Sequence, residues 1–311
     1  MRKFISISLL FIVLIGAVIM TGCGDSGGSG GQSGSNGSGG SGKHYKVPAF
    51  KSSAFHESKA QGQGGVLLDL SSGSKGYVAL SVKSDSRIKF QVCKGSDTYT
   101  YDVKSDGSPS IFPLQMGSGT YTFKVMRNIS GSKYTQDYET SETIKLKGKF
   151  QPFLRPSDYT DYNKKSDCVK KAGEIAKQAE TSMDVVSGVF DYICDTVTYD
   201  EEKAKTVQSG YLPDPDETMS TGKGICFDYA SLAAAMLRSQ GIPTKIVFGY
   251  VSPDGLYHAW NMFYTKETGW VTVDYEVDKN SWNRIDTTFS SNGTDNEFIG
   301  DGSNYTDVYF Y

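Results

Sequence analysis

Cysteine, histidine and tryptophan are scarce in this chain: 311 residues hold 5 Cys, 3 His and 3 Trp. So few thiols exclude a disulfide scaffold. His44 and His56 have no thiol near them in the sequence and read as surface residues, not metal ligands. No charge of one sign dominates either. The chain has 32 basic and 35 acidic residues, a net charge of −3, which removes the electrostatic reason to expect nucleic acid as a partner.

What is present is ordinary globular material, 38% hydrophobic and 22% charged, enough for about two domains. It is rich in Tyr (20) and Phe (16), a composition suited to β-structure. The first residues stand apart. Arg2 and Lys3 precede an uncharged, mostly apolar run from Phe4 to Met20, short for a spanning helix and matched to a secretory signal. The run ends in Met20-Thr21-Gly22-Cys23, which resembles the lipobox of bacterial lipoproteins, with Met where Leu is usual. That resemblance implies a signal peptide over 1–22 and a lipidated Cys23, hence an extracytoplasmic protein anchored to the bacterial cell membrane. Residues 23–43 are then a Gly/Ser-rich tether that cannot bury enough apolar surface to fold. Gly27-Gly28-Ser29-Gly30-Gly31 fits G-x-S-x-G, but without a preceding strand or following helix it carries no hydrolase meaning.

Residues 44–150 read as short strands broken by turns. They are expected at Gly65–Leu70, Gly76–Val82, Ile88–Lys94, Thr98–Val103, Gly119–Met126 and Ser141–Leu146, and form an all-β sandwich. Phe150–Pro156 is a junction, with Pro152 and Pro156 breaking regular structure. Helices are expected over Ser166–Glu180 and Met183–Thr196, with Ser182 and Asp184 in the N-cap region of the second. Cys168 and Cys194 lie in these helices and read as two small buried thiols, although export would permit a disulfide between them.

The chemistry concentrates further on. Glycines stop at Gly224, good helix formers run from Ala230 to Leu237, and Gly241 and Pro243 close the helix. Cys226 therefore stands at a helix N-terminus, where free N–H groups and the positive dipole end favour a thiolate and can hold an oxyanion. His258 follows 32 residues later, after the strand-like Thr244–Val251, and is the only His in the second half of the chain. It supplies the base a thiol nucleophile needs. An acidic residue should orient the imidazole. Asp274 and Asp286 both follow a Trp by four positions, and a simple three-strand meander leans to Asp274.

Gly224-Ile225-Cys226-Phe227-Asp228-Tyr229-Ala230, Gly241-Ile242-Pro243-Thr244-Lys245 and His258-Ala259-Trp260-Asn261 together resemble the bacterial transglutaminase-like superfamily over about residues 150–311. The resemblance implies an α+β, papain-like domain over 151–311, with a Cys-His-Asp triad. The family's acidic residue usually opens Asp-Pro-Thr. Asp286-Thr287-Thr288 matches with Thr for Pro, so the resemblance selects Asp286 and makes residues 270–281 an excursion between the two active strands. The implied function is acyl transfer on amide bonds of protein or peptide substrates, cell-wall peptides included, as a transglutaminase, protease or amidase. No cofactor is implied. The acidic residues Asp295–Asp307 fit no EF-hand spacing and predict no metal. The competing reading is a non-catalytic cell-surface binding module in which the triad is vestigial.

Overall fold

The computed structural model describes residues 44–253, 255–267, 269–272, 275–277, 282–291 and 303–311. Residues 1–43, with the signal segment, Cys23 and the tether, lie outside the described residues, as does Asp274.

The first half is built from strands β1 (Val66–Asp69), β2 (Tyr77–Val82), β3 (Ile88–Lys94), β4 (Asp97–Val103), β5 (Ser110–Pro113), β6 (Gly119–Ser130) and β7 (Lys133–Ile144). Alternation sets their inward faces. Ile88, Phe90 and Val92 are buried on β3, as are Tyr99, Tyr101 and Val103 on β4. Two antiparallel sheets result, ordered β1-β2-β5 and β4-β3-β6-β7. They face each other through an aromatic core in which Phe90 meets Phe112 at 4.8 Å and Tyr101 meets Phe112 at 4.8 Å. This is a β-sandwich. His56 is not the isolated surface residue its sequence context suggests. Its Nδ1 lies 2.9 Å from the buried Asp69 carboxylate, whose other oxygen accepts from the Ser71 N–H. The junction at 150–156 contains a short 3-10 turn, Gln151–Leu154, that buries Phe153 and Leu154.

The second half contains α1 (Asp167–Gln178), α2 (Ser182–Thr196), β8 (Thr198–Tyr199), α3 (Glu201–Thr206), α4 (Pro215–Thr221), β9 (Lys223–Gly224) and α5 (Cys226–Ser239). There follow β10 (Thr244–Val251), β11 (Leu256–Tyr264), β12 (Gly269–Thr272), β13 (Tyr275–Val277), β14 (Trp282–Ile285), α6 (Thr287–Ser291) and β15 (Tyr305–Phe310). Thr181, not Ser182 or Asp184, caps α2. Its hydroxyl accepts from the Asp184 N–H while the Asp184 carboxylate accepts from the Thr181 N–H, a capping box. Every residue of α5 from Asp228 to Ser239 is buried, as expected of a helix that is apolar nearly all round. It lies between α1, α2 and α4 on one side and an antiparallel sheet ordered β14-β11-β10-β15 on the other. The segment between β11 and β14 forms its own pair, β12 with β13. Cys168 and Cys194 are free thiols. Burial pushes the Cys194 thiol up to about 12, and Asp191, Asp195 and Asp286 add to the shift.

Each half holds an end of the other. Tyr45 runs along the helical half, its N–H on Ala179 and its hydroxyl on the Gln240 carbonyl. Tyr311 enters the sandwich core against Tyr99, Tyr101 and Tyr159, at 5.4, 5.5 and 4.5 Å. Residues 44–311 form one compact unit.

Candidate active site

Cys226 is the first residue of α5, with Ile225 extended before it as the N-cap. The first N–H groups of a helix have no partner within it, so the sulfur sits at the positive end of the helix. The turn into this helix is built around Asp228, whose side chain is fully buried. Its carboxylate accepts from the Ile225 N–H at 2.8 Å and from the Tyr211 hydroxyl at 2.6 Å, and pairs with the Lys203 ammonium at 2.8 Å. Gly224 allows this closeness, because a Cβ there would lie 2.6 Å from the Asp228 Cβ. The loop before the thiol is zipped to the end of α2: β8 pairs in parallel with β9, and the Asp200 N–H reaches the Gly224 carbonyl at 2.9 Å. Asp200 then caps α3 through the Lys203 N–H. The acidic stretch before the loop is also spent on caps, Asp214 on α4 and Asp216 on the Cys168 N–H of α1.

His258 lies on β11 and is 3% exposed. Its Nε2 is 2.8 Å from Asp286 Oδ2, which leaves Nδ1 as the ring nitrogen for the Cys226 thiol. Asp286 follows β14, and β14 pairs directly with β11, with Asn261 opposite Ile285. The carboxylate is held from three further sides. Oδ1 accepts from the Thr288 and Phe289 N–H groups at 3.1 and 3.2 Å, so Asp286 caps α6, and Oδ2 accepts from the Tyr305 hydroxyl at 3.0 Å. The Phe289 ring stacks on the imidazole at 4.5 Å, and Trp260, on the same strand face, lies at 6.1 Å. Burial alone would lower the His258 pKa. The charge and hydrogen bond of Asp286 outweigh it, Cys226 acts in the same direction, and the imidazole is pushed up to about 10.

The structure thus brings Cys226, His258 and Asp286 into one row. Cys226 is the accessible end, being only partly buried, and packs beside Phe227, Phe248 and Tyr159 around Ala230, Ala234, Ile246 and Ala259. Burial, helped by Tyr250, Tyr309 and Cys226, pushes the Tyr257 hydroxyl up to about 12. Lys223 is exposed on β9. Among the described residues no group of His, Cys, Asp and Glu is arranged to hold a metal ion.

The sheet bends at the site. Register between β10 and β15 shifts at Phe248 and Gly249, and Gly249 pairs with His258. A Cβ at 249 would collide with the Thr306 carbonyl oxygen and come within 2.7 Å of the Trp260 ring. Gly249→Ala should therefore destabilise the fold by about 2–3 kcal/mol, the cost of overpacking against backbone. A urea titration checks this: the midpoint should fall with the slope unchanged. An unmoved midpoint would mean that β15 gives way freely.

Residues 169–275 match the family model of the transglutaminase-like superfamily. They form a transglutaminase-like domain. The match covers β9, the start of α5 and His258, and stops before Asp286. Over 76 residues this chain is 37% identical to a protein-glutamine gamma-glutamyltransferase of Pseudomonas aeruginosa, covering 20% of this chain and 11% of that protein. Over 176 residues it is 30% identical to an uncharacterised protein of Mycobacterium leprae, covering 51% and 53% of the two chains. The chain thus spans about half, or much less, of the length of these relatives. A candidate cysteine protease from Cytophaga hutchinsonii superposes with a TM-score of 0.37 at 18% identity, covering 74% of this chain and 80% of that one. Red sea bream transglutaminase does so with a TM-score of 0.29 at 11% identity, covering 68% and 48%. Both superpositions are too loose to carry an argument, and the assignment rests on the family match. The transglutaminase-like domain and the sandwich before it together make an α+β architecture.

Two contributors to the site escape the sequence reading. Asp228 had a local signal, an acid three residues past the N-cap. Tyr305 had none, because its contact with Asp286 forms only when β15 joins the sheet.

Proposed function

We propose that this protein is an exported cysteine acyl-transfer enzyme, held at the membrane by a lipid on Cys23 and spaced from it by the tether, and acting on amide bonds of proteins or peptides. The thiolate of Cys226 attacks the amide carbonyl, and the N–H groups at the start of α5 hold the developing oxyanion. The C–N bond breaks as the His258 imidazolium gives its proton to the departing amine or ammonia, leaving a thioester. Water or a second amine then attacks the thioester, passes its proton to His258 and returns Cys226 as the thiolate. Water gives hydrolysis, and an amine gives crosslinking. Asp286 fixes the ring and balances its charge throughout.

The observation that carries this reading is the buried imidazole, clamped by Asp286 and Phe289, with the Cys226 sulfur at a helix N-terminus beside it. The test is alkylation of Cys226 by iodoacetamide across pH, read on the Cys226 peptide by mass spectrometry. Labelling is expected well below the ordinary thiol range near about 8.5. Labelling that begins only in that range would remove the nucleophile from the scheme. The two outcomes of the thioester are separated by screening surface proteins for amine incorporation and for cleavage, with a Cys226→Ala chain as the blank.

A further inference from the structure

The scheme above leaves one buried hydroxyl at the site unused. Tyr305 opens β15, is 8% exposed, and donates to Asp286 Oδ2, the same oxygen that meets His258. The other oxygen is already taken by the two α6 N–H groups. With Oδ1 pinned, the direction of Oδ2 and the share of its charge left for the imidazole depend on what else it binds. The Tyr305 hydroxyl is that second donor.

The strand carrying it is anchored at its far end in the sandwich. Tyr309 and Phe310 meet the Tyr99 ring of β4 at 5.6 and 6.2 Å, and Tyr311 lies against both Tyr99 and Tyr101. The Tyr311 carbonyl accepts from the Ile246 N–H and from the buried Arg238 guanidinium. Nearer the site, Val251 pairs with Tyr305 and the Gly249 bulge lets the strand close on Trp260. We propose that Tyr305 is a positioning residue for the Asp286–His258 pair, and that the β-sandwich reaches the site through the strand that holds Tyr305 in place. The inference rests on the acyl-transfer reading and extends it.

Among the described residues, the groups facing Asp286 are His258 from β11, Tyr305 from β15, the Cys194 thiol from α2 and the α6 backbone. Arg284, on β14, lies over the Tyr305 ring at 4.5 Å, and its charge is met by Asp307 at 3.2 Å. Removing only the hydroxyl, with Tyr305→Phe, takes one donor from Oδ2. The carboxylate charge then falls more fully on the imidazolium, which holds its proton more tightly.

Alkylation of a thiol paired with an imidazole rises with pH in two steps, the upper one when the imidazolium loses its proton. In Tyr305→Phe the upper step of Cys226 labelling should move to higher pH by about half a unit or more, the share of one charge-assisted hydrogen bond. Tyr99→Leu, which loosens β15 from the sandwich side, should move it in the same direction by less. Urea midpoints for both variants establish that they are folded. An upper step that stays put or moves down in Tyr305→Phe overturns the positioning role, and one that stays put in Tyr99→Leu removes the sandwich from it. The wild-type curve separates the two levels of inference. A single step in the ordinary thiol range defeats the acyl-transfer reading itself, whereas two wild-type steps that Tyr305→Phe does not raise defeat only the role of Tyr305.

Discussion

Asp286→Asn should lower acyl transfer about a thousandfold or more while leaving the chain folded. The amide has the carboxylate's shape but only one acceptor oxygen. If that oxygen serves the Thr288 and Phe289 N–H groups, which Asp286 Oδ1 now accepts, the NH2 group faces His258. The ring must then accept at Nε2 and carry its proton on Nδ1, the side of Cys226. A ring in that tautomer cannot take a proton from the thiol, a change that costs other triads several orders of magnitude. The opposite amide orientation sets NH2 against two N–H donors and is worse. The same substitution should change how stability depends on pH. His258 is pushed from an ordinary 6.5 to about 10 in the fold. Its contribution to stability is therefore complete below about 6.5 and is lost as pH rises through about 10. Thermal unfolding of the wild-type chain should show Tm falling across that window relative to Asp286→Asn, whose profile should be flatter. Parallel profiles for the two chains would mean that Asp286 does not hold the imidazole charged.

The choice between Asp274 and Asp286 shows what the sequence could carry and what it could not. Spacing alone favours the next strand in order, and so Asp274. The structure instead sets β14 beside β11, with β12 and β13 paired to each other between them in the chain. Which strand neighbours which is decided by pairing across distance, and only the resemblance around Asp286-Thr287-Thr288 pointed past the simple meander. Local signals fared better where one face is buried. Ile88–Lys94 and Thr244–Val251 have the expected bounds because alternation or a continuous apolar run marks them. β6 and β7 run further than expected, to Ser130 and from Lys133. Their distal residues, such as Arg127, Asn128 and Gln136, are polar and only partly covered or exposed, so no apolar period announces them. β5 was missed altogether, since Ser110–Pro113 is short and ends in proline, which reads as a turn. The start of α5 was legible from the glycines ending at Gly224 and the helix formers after them. The Asp228 network that secures it draws on Lys203 of α3 and on Tyr211 beyond it, contacts across the chain that no local pattern announces.

Arg238→Met should destabilise the chain by about 3–5 kcal/mol, a fall in Tm on the order of 10 °C. Arg238 sits on α5, 2% exposed, and its guanidinium donates to three carbonyls from three segments. Nε reaches Thr244 at 2.8 Å, one terminal nitrogen reaches Arg155 at 3.0 Å, and the other reaches Tyr311 at 2.8 Å. Burial opposes the charge and pulls its pKa down to about 10. A well-packed apolar side chain can replace a buried ion at little cost when every partner leaves with it. Here none leaves. The carbonyls are main chain and stay where they are, each losing a charge-assisted bond worth about 1.5–3 kcal/mol, and Met offers no donor in exchange. Tyr311 keeps the Ile246 N–H, which caps the loss below the sum of three bonds. Arg238→Lys separates charge from geometry. An ammonium keeps the cation but lacks the planar fork that spans three directions, so it should recover only part of the lost stability. Because Arg238 clamps the end of the strand that brings Tyr305 to Asp286, Arg238→Met should also raise the upper step of Cys226 alkylation, as Tyr99→Leu does from the sandwich side.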